Sequence, residues 1–224
     1  MGNMAVGLVT EPSTKSPTEA VFFDVLGTLV ELEPPWLTLR EAVGDDVPEE
    51  KLIRAVKLEM AYYKEHSHEG RDPASLAELR GRCAELLTRE LGVEVTLDEL
   101  IAAIRFHPYP DAAPALAALR GRGLRLVAVS NWDSSLTAVL DRCGLAEALD
   151  GAVSSAEAGA SKPDPAVFLR ALELAGCGPE RALHVGDTPE EDAAGAAAAG
   201  IRCLIVDRKG GGDIASLAEV EGRL

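Results

Sequence analysis

Four short apolar runs, rich in Val, Ile, Leu and Phe, set the strongest limit on how this chain can fold. They occupy residues 20–25, 124–130, 182–187 and 201–207. Runs without a polar face are typical of strands inside a parallel sheet that is covered by helices. Helical patterns separate the later runs and occupy residues 111–123, 134–144, 164–176 and 189–200. This alternation predicts an α/β fold whose core is a Rossmann-like parallel sheet with right-handed crossovers.

The segment from residue 34 to residue 107 interrupts the alternation, because its patterns are helical only. It directly follows the first strand and its turn, and the proline-containing loop FHPYPDAAP leads back to the sheet. We predict a core of residues 18–33 and 108–224, with an all-helical insertion over 34–107 that covers the end of the first strand. Residues 1–17 mix Pro, Ser, Thr and Gly without periodicity, which predicts a loose tail.

Charge and composition restrict the partners of the chain. A formal net charge of -15 and a pI near 4.7 disfavour nucleic acid and anionic membrane surfaces, which would repel the protein. No apolar stretch is long enough for a membrane span, no signal peptide is evident, and the four cysteines lack metal-ligand spacing. We expect a cytoplasmic monomer or homodimer whose partner is a small anionic substrate.

Three predicted strands end in a polar residue, namely Asp24, Ser130 and Asp187. Ligands of parallel α/β sheets bind at the carboxyl ends of the strands, so these side chains are expected to lie together. Asp192 follows Asp187 in the stretch GDTPEED, and Lys162 lies in SKPDP. Each motif is common by chance, and Ser130 alone would also suit a helix N-cap. The four motifs in this order form a specific pattern.

That pattern, DVLGTLV, VAVSNWD, SKPDP and HVGDTPEED, resembles the haloacid dehalogenase superfamily of hydrolases with a helical C1-type cap. The resemblance extends over residues 20–207. It implies that Asp24 is a nucleophile whose covalent intermediate is hydrolysed by water, with Ser130 and Lys162 as further catalytic residues. The residues implied to bind the substrate's anionic group or to orient the nucleophile are Gly27, Thr28 and Asn131.

The resemblance also implies a metal site. Two carboxylates in GDTPEED, facing Asp24 across the sheet, form a hard, oxygen-rich site that suits Mg²⁺. The expected ligands are Asp24, the backbone carbonyl of Leu26, Asp187 and Asp192, the last directly or through water.

Leu26 departs from the pattern of the phosphatases in this superfamily. They usually carry a second Asp there, which protonates the leaving oxygen and later activates water. Haloalkanoic acid dehalogenases carry a bulky non-acidic residue instead, because a halide leaves without a proton, and Asn131 after Ser130 also suits them. They use no metal, however, and lack the paired acids of GDTPEED.

We therefore expect a Mg²⁺-dependent phosphatase that acts on a small phosphorylated metabolite through an aspartyl-phosphate intermediate. A metal-independent 2-haloacid dehalogenase is the alternative, and a catalytically weak binding or regulatory protein is a third possibility.

The predicted cap offers Lys64 and Arg71 as contacts for an anionic substrate. A cap lysine could also form a Schiff base, as in phosphonoacetaldehyde hydrolases, which also lack the second Asp. The sequence does not choose between Lys64 and Lys57 for that role.

Overall fold

The computed structural model describes residues 17–224, so nearly all of the predicted tail lies outside the described residues. Within that part the strands are β1 (Ala20–Phe23), β2 (Val30–Leu32), β3 (Phe106–Pro108), β4 (Arg125–Ser130), β5 (Gly151–Ser154), β6 (Ala182–Gly186) and β7 (Arg202–Ile205). The α-helices are α1 (Pro35–Val43), α2 (Glu49–His66), α3 (Pro73–Leu91), α4 (Leu97–Ala103), α5 (Ala112–Gly121), α6 (Leu136–Arg142), α7 (Ser155–Ala158), α8 (Ala166–Ala175) and α9 (Ala194–Ala198).

Five strands form one parallel sheet in the order β5-β4-β1-β6-β7, which confirms the predicted α/β class. β1 lies at the centre and is buried along its whole length. Its residues alternate between two cores: Val21 and Phe23 face a core that includes α5 and α6, whereas Phe22 faces one that includes α8 and α9. Helices on both faces explain why the strand sequences have no polar side.

The sequence analysis missed three strands. β5 is an edge strand with the sequence GAVS, which is too short and too rich in small residues to form an apolar run. β2 and β3 form a separate antiparallel pair at the two ends of the helical segment, with Glu31 opposite His107. Strands of three residues are too short to show a periodicity of two.

Four helices, α1 to α4, follow β2 and pack around a core of their own that includes Leu39, Leu52 and Leu87. α3 begins at Pro73 after Asp72, whose carboxylate accepts hydrogen bonds from the backbone N–H groups of Ala74 and Ser75. None of the helices described between residues 17 and 224 is both long and apolar enough to cross a membrane.

α2 carries its buried residues along one stripe, at Leu52, Ala55, Val56 and Glu59. Such spacing of three and four residues is the pattern of an amphipathic helix that packs on a core. The last position of the stripe holds an acid rather than an apolar residue.

The packing of α8 against the sheet provides a test of the fold. Phe168 is fully buried and contacts the His184 ring edge-on at a centroid distance of 4.9 Å. We expect Phe168→Ala to lower the free energy of unfolding by about 3–5 kcal/mol, because it leaves a cavity in the core. The neighbouring Leu169 is 50% exposed, so Leu169→Ala should cost about 0.5 kcal/mol or less. Urea denaturation followed by circular dichroism measures both, and equal losses would contradict this packing.

Candidate active site

The sheet places Asp24, Ser130 and Asp187 at one edge. Asp24 follows β1, Ser130 ends β4 and Asp187 follows β6, and these three strands are neighbours. The Ser130 hydroxyl donates a hydrogen bond to Asp24 Oδ1 over 3.0 Å. Both side chains are buried, so this contact is shielded from bulk water.

Lys162 reaches the same group of acids. Its Nζ lies 2.6 Å from Asp24 Oδ1 and 2.6 Å from Asp192 Oδ1. Burial alone would lower the pKa of Lys162, but the two carboxylates outweigh it and raise that pKa above its usual value. Burial also raises the pKa of Asp24 to about 6, although the Lys162 ammonium opposes this effect. At neutral pH Asp24 is therefore mainly ionised, beside a fixed positive charge.

Asp192 uses both carboxylate oxygens within the protein. Its Oδ1 accepts hydrogen bonds from Lys162 and from His184 Nε2, the latter over 2.8 Å, and its Oδ2 accepts from the Thr188 backbone N–H over 3.0 Å. Burial would raise the pKa of Asp192, but the bonds from His184 and Lys162 hold it well below its usual range. Asp192 thus fixes the position of Lys162.

His184 was missed in the sequence analysis. It is fully buried in β6, where only apolar residues were expected. A histidine inside the run ALHVG was the signal, but its partner Asp192 lies eight residues later and could not be identified from the sequence.

The turn after Asp24 lies directly against Asp187. Gly27 has a φ of +88°, and a Cβ atom at this position would lie 2.0 Å from Asp187 Oδ2. The other oxygen of Asp187 accepts a hydrogen bond from the Thr188 hydroxyl over 3.0 Å. Glycine is therefore required at residue 27 both for its backbone conformation and for the approach of this carboxylate.

These acids fit a divalent cation. Asp24, Asp187 and Asp192 each offer an oxygen, and these oxygens lie within 4.8 Å of one another. Three carboxylates face the single ammonium of Lys162, so negative charge remains for a cation to neutralise. Both oxygens of Asp192 already accept hydrogen bonds, whereas the hydrogen bonds to Asp24 go to its Oδ1 and that to Asp187 goes to its Oδ1, so Asp24 and Asp187 are the carboxylates better placed for direct contact. Oxygen ligands of this kind suit Mg²⁺ or Ca²⁺.

Of two predicted substrate-binding residues, Asn131 lines the cavity next to Asp24 and Thr28 does not. The side-chain amide of Asn131 donates to the backbone carbonyl of Lys162 and to Glu191, and its oxygen accepts from the Lys162 backbone N–H over 2.7 Å. Asn131 therefore holds the backbone that carries Lys162. The Thr28 side chain is buried outside the cavity, and its hydroxyl has no hydrogen-bond partner among the described residues.

A cavity of about 1130 Å³ connects this cluster to the helical segment. Leu26 projects into it and is 39% exposed. Tyr63 on α2 and Arg80 on α3 line it from the other side. The Tyr63 hydroxyl donates to buried Asp133 over 2.7 Å, which anchors α2 to the loop after β4.

The predicted cap cations differ in position. Lys64 lines the cavity and forms a 2.6 Å ion pair with Glu191. Arg71, in contrast, is exposed and does not line the cavity; its Nε points to the His68 carbonyl of its own loop. Arg80 on α3, which the sequence analysis did not single out, lines the cavity instead of Arg71. Lys57 is exposed on α2 outside the cavity, so Lys64 is the better placed of the two lysines.

Comparisons with known proteins show what the chain is similar to. A family model described as haloacid dehalogenase-like hydrolase matches residues 18–200. A stretch of 105 residues is 42% identical to the phosphoserine phosphatase of Thermus thermophilus and covers 46% of this chain but only 42% of that relative.

Two solved structures are similar over nearly their whole length. A phosphatase from Thermococcus onnurineus has 23% identity and a TM-score of 0.67, covering 92% of this chain and 97% of that one. The L-2-haloacid dehalogenase of Xanthobacter autotrophicus has 22% identity and a TM-score of 0.69, covering 91% and 96%. At these identities the likeness establishes the fold, and the fold is common to both activities.

The contact between Gly27 and Asp187 predicts the effect of one methyl group. In Gly27→Ala the new Cβ displaces the Asp187 carboxylate, so we expect Mg²⁺ affinity, measured by isothermal titration calorimetry, to fall about 10- to 100-fold. Gly144→Ala is the matched control, because Gly144 also has a positive φ, +69°, but nothing lies within 4 Å of its Cβ position. Both variants should lose about 1–2 kcal/mol of stability. Equal Mg²⁺ affinity in the two variants would contradict the prediction.

Proposed function

Because this chain belongs to the haloacid dehalogenase-like hydrolase family, we propose that it hydrolyses a small phosphorylated metabolite with Mg²⁺, through an aspartyl-phosphate on Asp24. The observation that carries this proposal is the cluster of Asp24, Asp187 and Asp192, whose oxygens lie within 4.8 Å of one another beside a single lysine. The relative named as a phosphoserine phosphatase supports a phosphate ester as substrate.

Asp24 is held in an orientation that suits nucleophilic attack. Its Oδ1 accepts hydrogen bonds from Ser130 and Lys162, which leaves Oδ2 as the attacking atom. Oδ2 would form a bond to phosphorus while the bond from phosphorus to the leaving oxygen breaks, and water would then hydrolyse the aspartyl-phosphate. The Lys162 ammonium stabilises the negative charge at this centre.

The metal would be held by Asp24, the Leu26 carbonyl and Asp187, with Asp192 acting through water. Bound Mg²⁺ would neutralise and orient the phosphoryl oxygens. Without it, a phosphate dianion would approach carboxylates whose charge Lys162 offsets only in part, so the charge balance of this site favours a cation.

Leu26 limits the range of leaving groups. Its side chain cannot donate a proton to the leaving oxygen, and the loss of such general acid catalysis costs about 100-fold or more in rate. We therefore propose a substrate with a good leaving group, or slow turnover of an ordinary phosphate monoester.

Leu26 is also the observation that favours the second candidate, a metal-independent 2-haloacid dehalogenase. It projects an apolar side chain into the cavity beside Asp24, and a halide needs no proton donor. Against this stands Asp187, since a haloacid carboxylate without a metal would approach a second negative charge. A weak binding or regulatory protein is less well supported, because Ser130 and Lys162 both donate hydrogen bonds to Asp24.

The proposed function is tested with p-nitrophenyl phosphate and L-2-chloropropionate, each with Mg²⁺ and with EDTA. We expect phosphate release that requires Mg²⁺ and is abolished in Asp24→Asn, an isosteric variant without a nucleophilic carboxylate. Chloride release that persists in EDTA would instead establish the dehalogenase. Full phosphatase activity of Asp24→Asn would exclude the mechanism.

Restoring the acid at residue 26 should extend the range of leaving groups. We expect Leu26→Asp to raise kcat for propyl phosphate by about 10-fold or more, within the usual range of general acid catalysis. Leu26→Asn is the control, because it has the same shape but donates no proton from a carboxyl group. The gain with p-nitrophenyl phosphate should be small, since nitrophenolate leaves without protonation. Equal kcat values for the Asp and Asn variants would show that no proton donor was missing.

A further inference from the structure

Glu59 is a buried acid in a position that suits an apolar residue. It lies on α2 in the stripe of Leu52, Ala55 and Val56, and only 5% of its surface is exposed. A carboxyl group at such a position loses its hydration when the helix packs, and burial accordingly raises the pKa of Glu59. A leucine there would complete the apolar face of the helix.

Few groups among the described residues stabilise the Glu59 carboxyl. In the part of the chain described here no cation forms a salt bridge with it, and its hydrogen-bonding neighbour is the Cys83 thiol on α3, which is a weak donor. Arg80 lies one turn before Cys83, but its guanidinium donates to Ser135 and also contacts Asp133. The Glu59 carboxyl therefore accepts few and weak hydrogen bonds from the described residues.

Glu59 lines the same cavity as Asp24. Asp24 lies at the edge of the sheet, whereas Glu59, Arg80 and Cys83 lie on the helices above it. A substrate whose phosphoryl group is at Asp24 would extend its remaining part into the space that Glu59 faces. A buried acceptor in that space favours a substrate that brings its own donor.

We propose that Glu59 determines specificity by accepting a hydrogen bond from a hydroxyl or ammonium group on the leaving part of the substrate. This inference rests on the proposed phosphatase function, which places the phosphoryl group at Asp24. Charged or protonated, the carboxyl keeps an oxygen that accepts such a bond. A carboxylate at the same end of the substrate would meet a second acceptor and be disfavoured.

The test compares aryl phosphates of equal size, because Leu26 makes alkyl phosphates poor substrates. The set is 4-ethylphenyl, 4-(2-hydroxyethyl)phenyl and 4-(2-aminoethyl)phenyl phosphate, together with the shorter 4-methyl, 4-hydroxymethyl and 4-aminomethyl compounds. For at least one chain length we expect kcat/KM for the hydroxyl or amino compound to exceed that of its alkyl analogue by about 10-fold or more, since a site built for a donor rejects a substrate without one.

Glu59→Leu should abolish this preference and at the same time raise the melting temperature, because it replaces a buried acid that has no ion-pair partner among the described residues by an apolar residue. Glu65→Leu is the matched control: Glu65 lies on the same helix but is exposed, so the preference should persist in this variant. An acid with a purely structural role would give the opposite result, a lower melting temperature in Glu59→Leu.

Three results would overturn the inference: equal kcat/KM across each matched set, a preference that survives Glu59→Leu, or a lower melting temperature of that variant. Hydrolysis of p-nitrophenyl phosphate separates these outcomes from failure of the proposed function. If that substrate is hydrolysed while the matched sets show no preference, only the role of Glu59 fails. If it is not hydrolysed with Mg²⁺ present, the phosphatase proposal fails and the role of Glu59 with it.

Discussion

The contact of Lys162 with Asp24 and Asp192 is the interaction on which the rest of the site depends. A parallel sheet brings several acids to one buried edge, where like charges repel strongly because little water is present to screen them. The ammonium lies 2.6 Å from both carboxylates and offsets part of that repulsion. Removing one member of such a buried set typically costs about 3–5 kcal/mol, because it leaves a charge without a partner.

Further residues hold Lys162 in place. The Asn131 side chain forms hydrogen bonds with both the backbone N–H and the backbone carbonyl of Lys162. Asp192 is itself held by hydrogen bonds from His184 and Thr188. The strand order explains how these groups meet, since β4, β1 and β6 are neighbours in the sheet although they are distant along the chain. The helical segment then covers this edge and is anchored to it by the hydrogen bond from Tyr63 to Asp133.

Two residues that line the cavity with Asp24, namely Leu26 and Asp187, favour different reactions. Leu26 suits a leaving group that needs no proton, whereas Asp187 suits a metal ion. The fold does not decide between them, because a phosphatase and a dehalogenase are matched about equally well. A metal-dependent phosphatase with a restricted choice of leaving group satisfies both residues, and Glu59 would add a further restriction at the other end of the substrate.

The sequence by itself determined the α/β class, the family and the acids at the strand ends, because these depend on local patterns. Apolar runs mark buried strands, and a motif keeps its order along the chain. It did not reveal β5 or the β2–β3 pair, whose strands have too few residues for a pattern. The sequence shows His184 and Glu59 as polar residues within apolar patterns, but it does not show which groups they contact.

The tertiary structure decided which side chains meet. In the structure the Asn131 side chain is hydrogen-bonded to Lys162, and Arg80 lines the cavity whereas Arg71 does not. The direction of a side chain, and whether its hydrogen bonds are satisfied, depend on neighbours that are close in space but distant in sequence. Those neighbours exist only once the sheet and the helices have packed together.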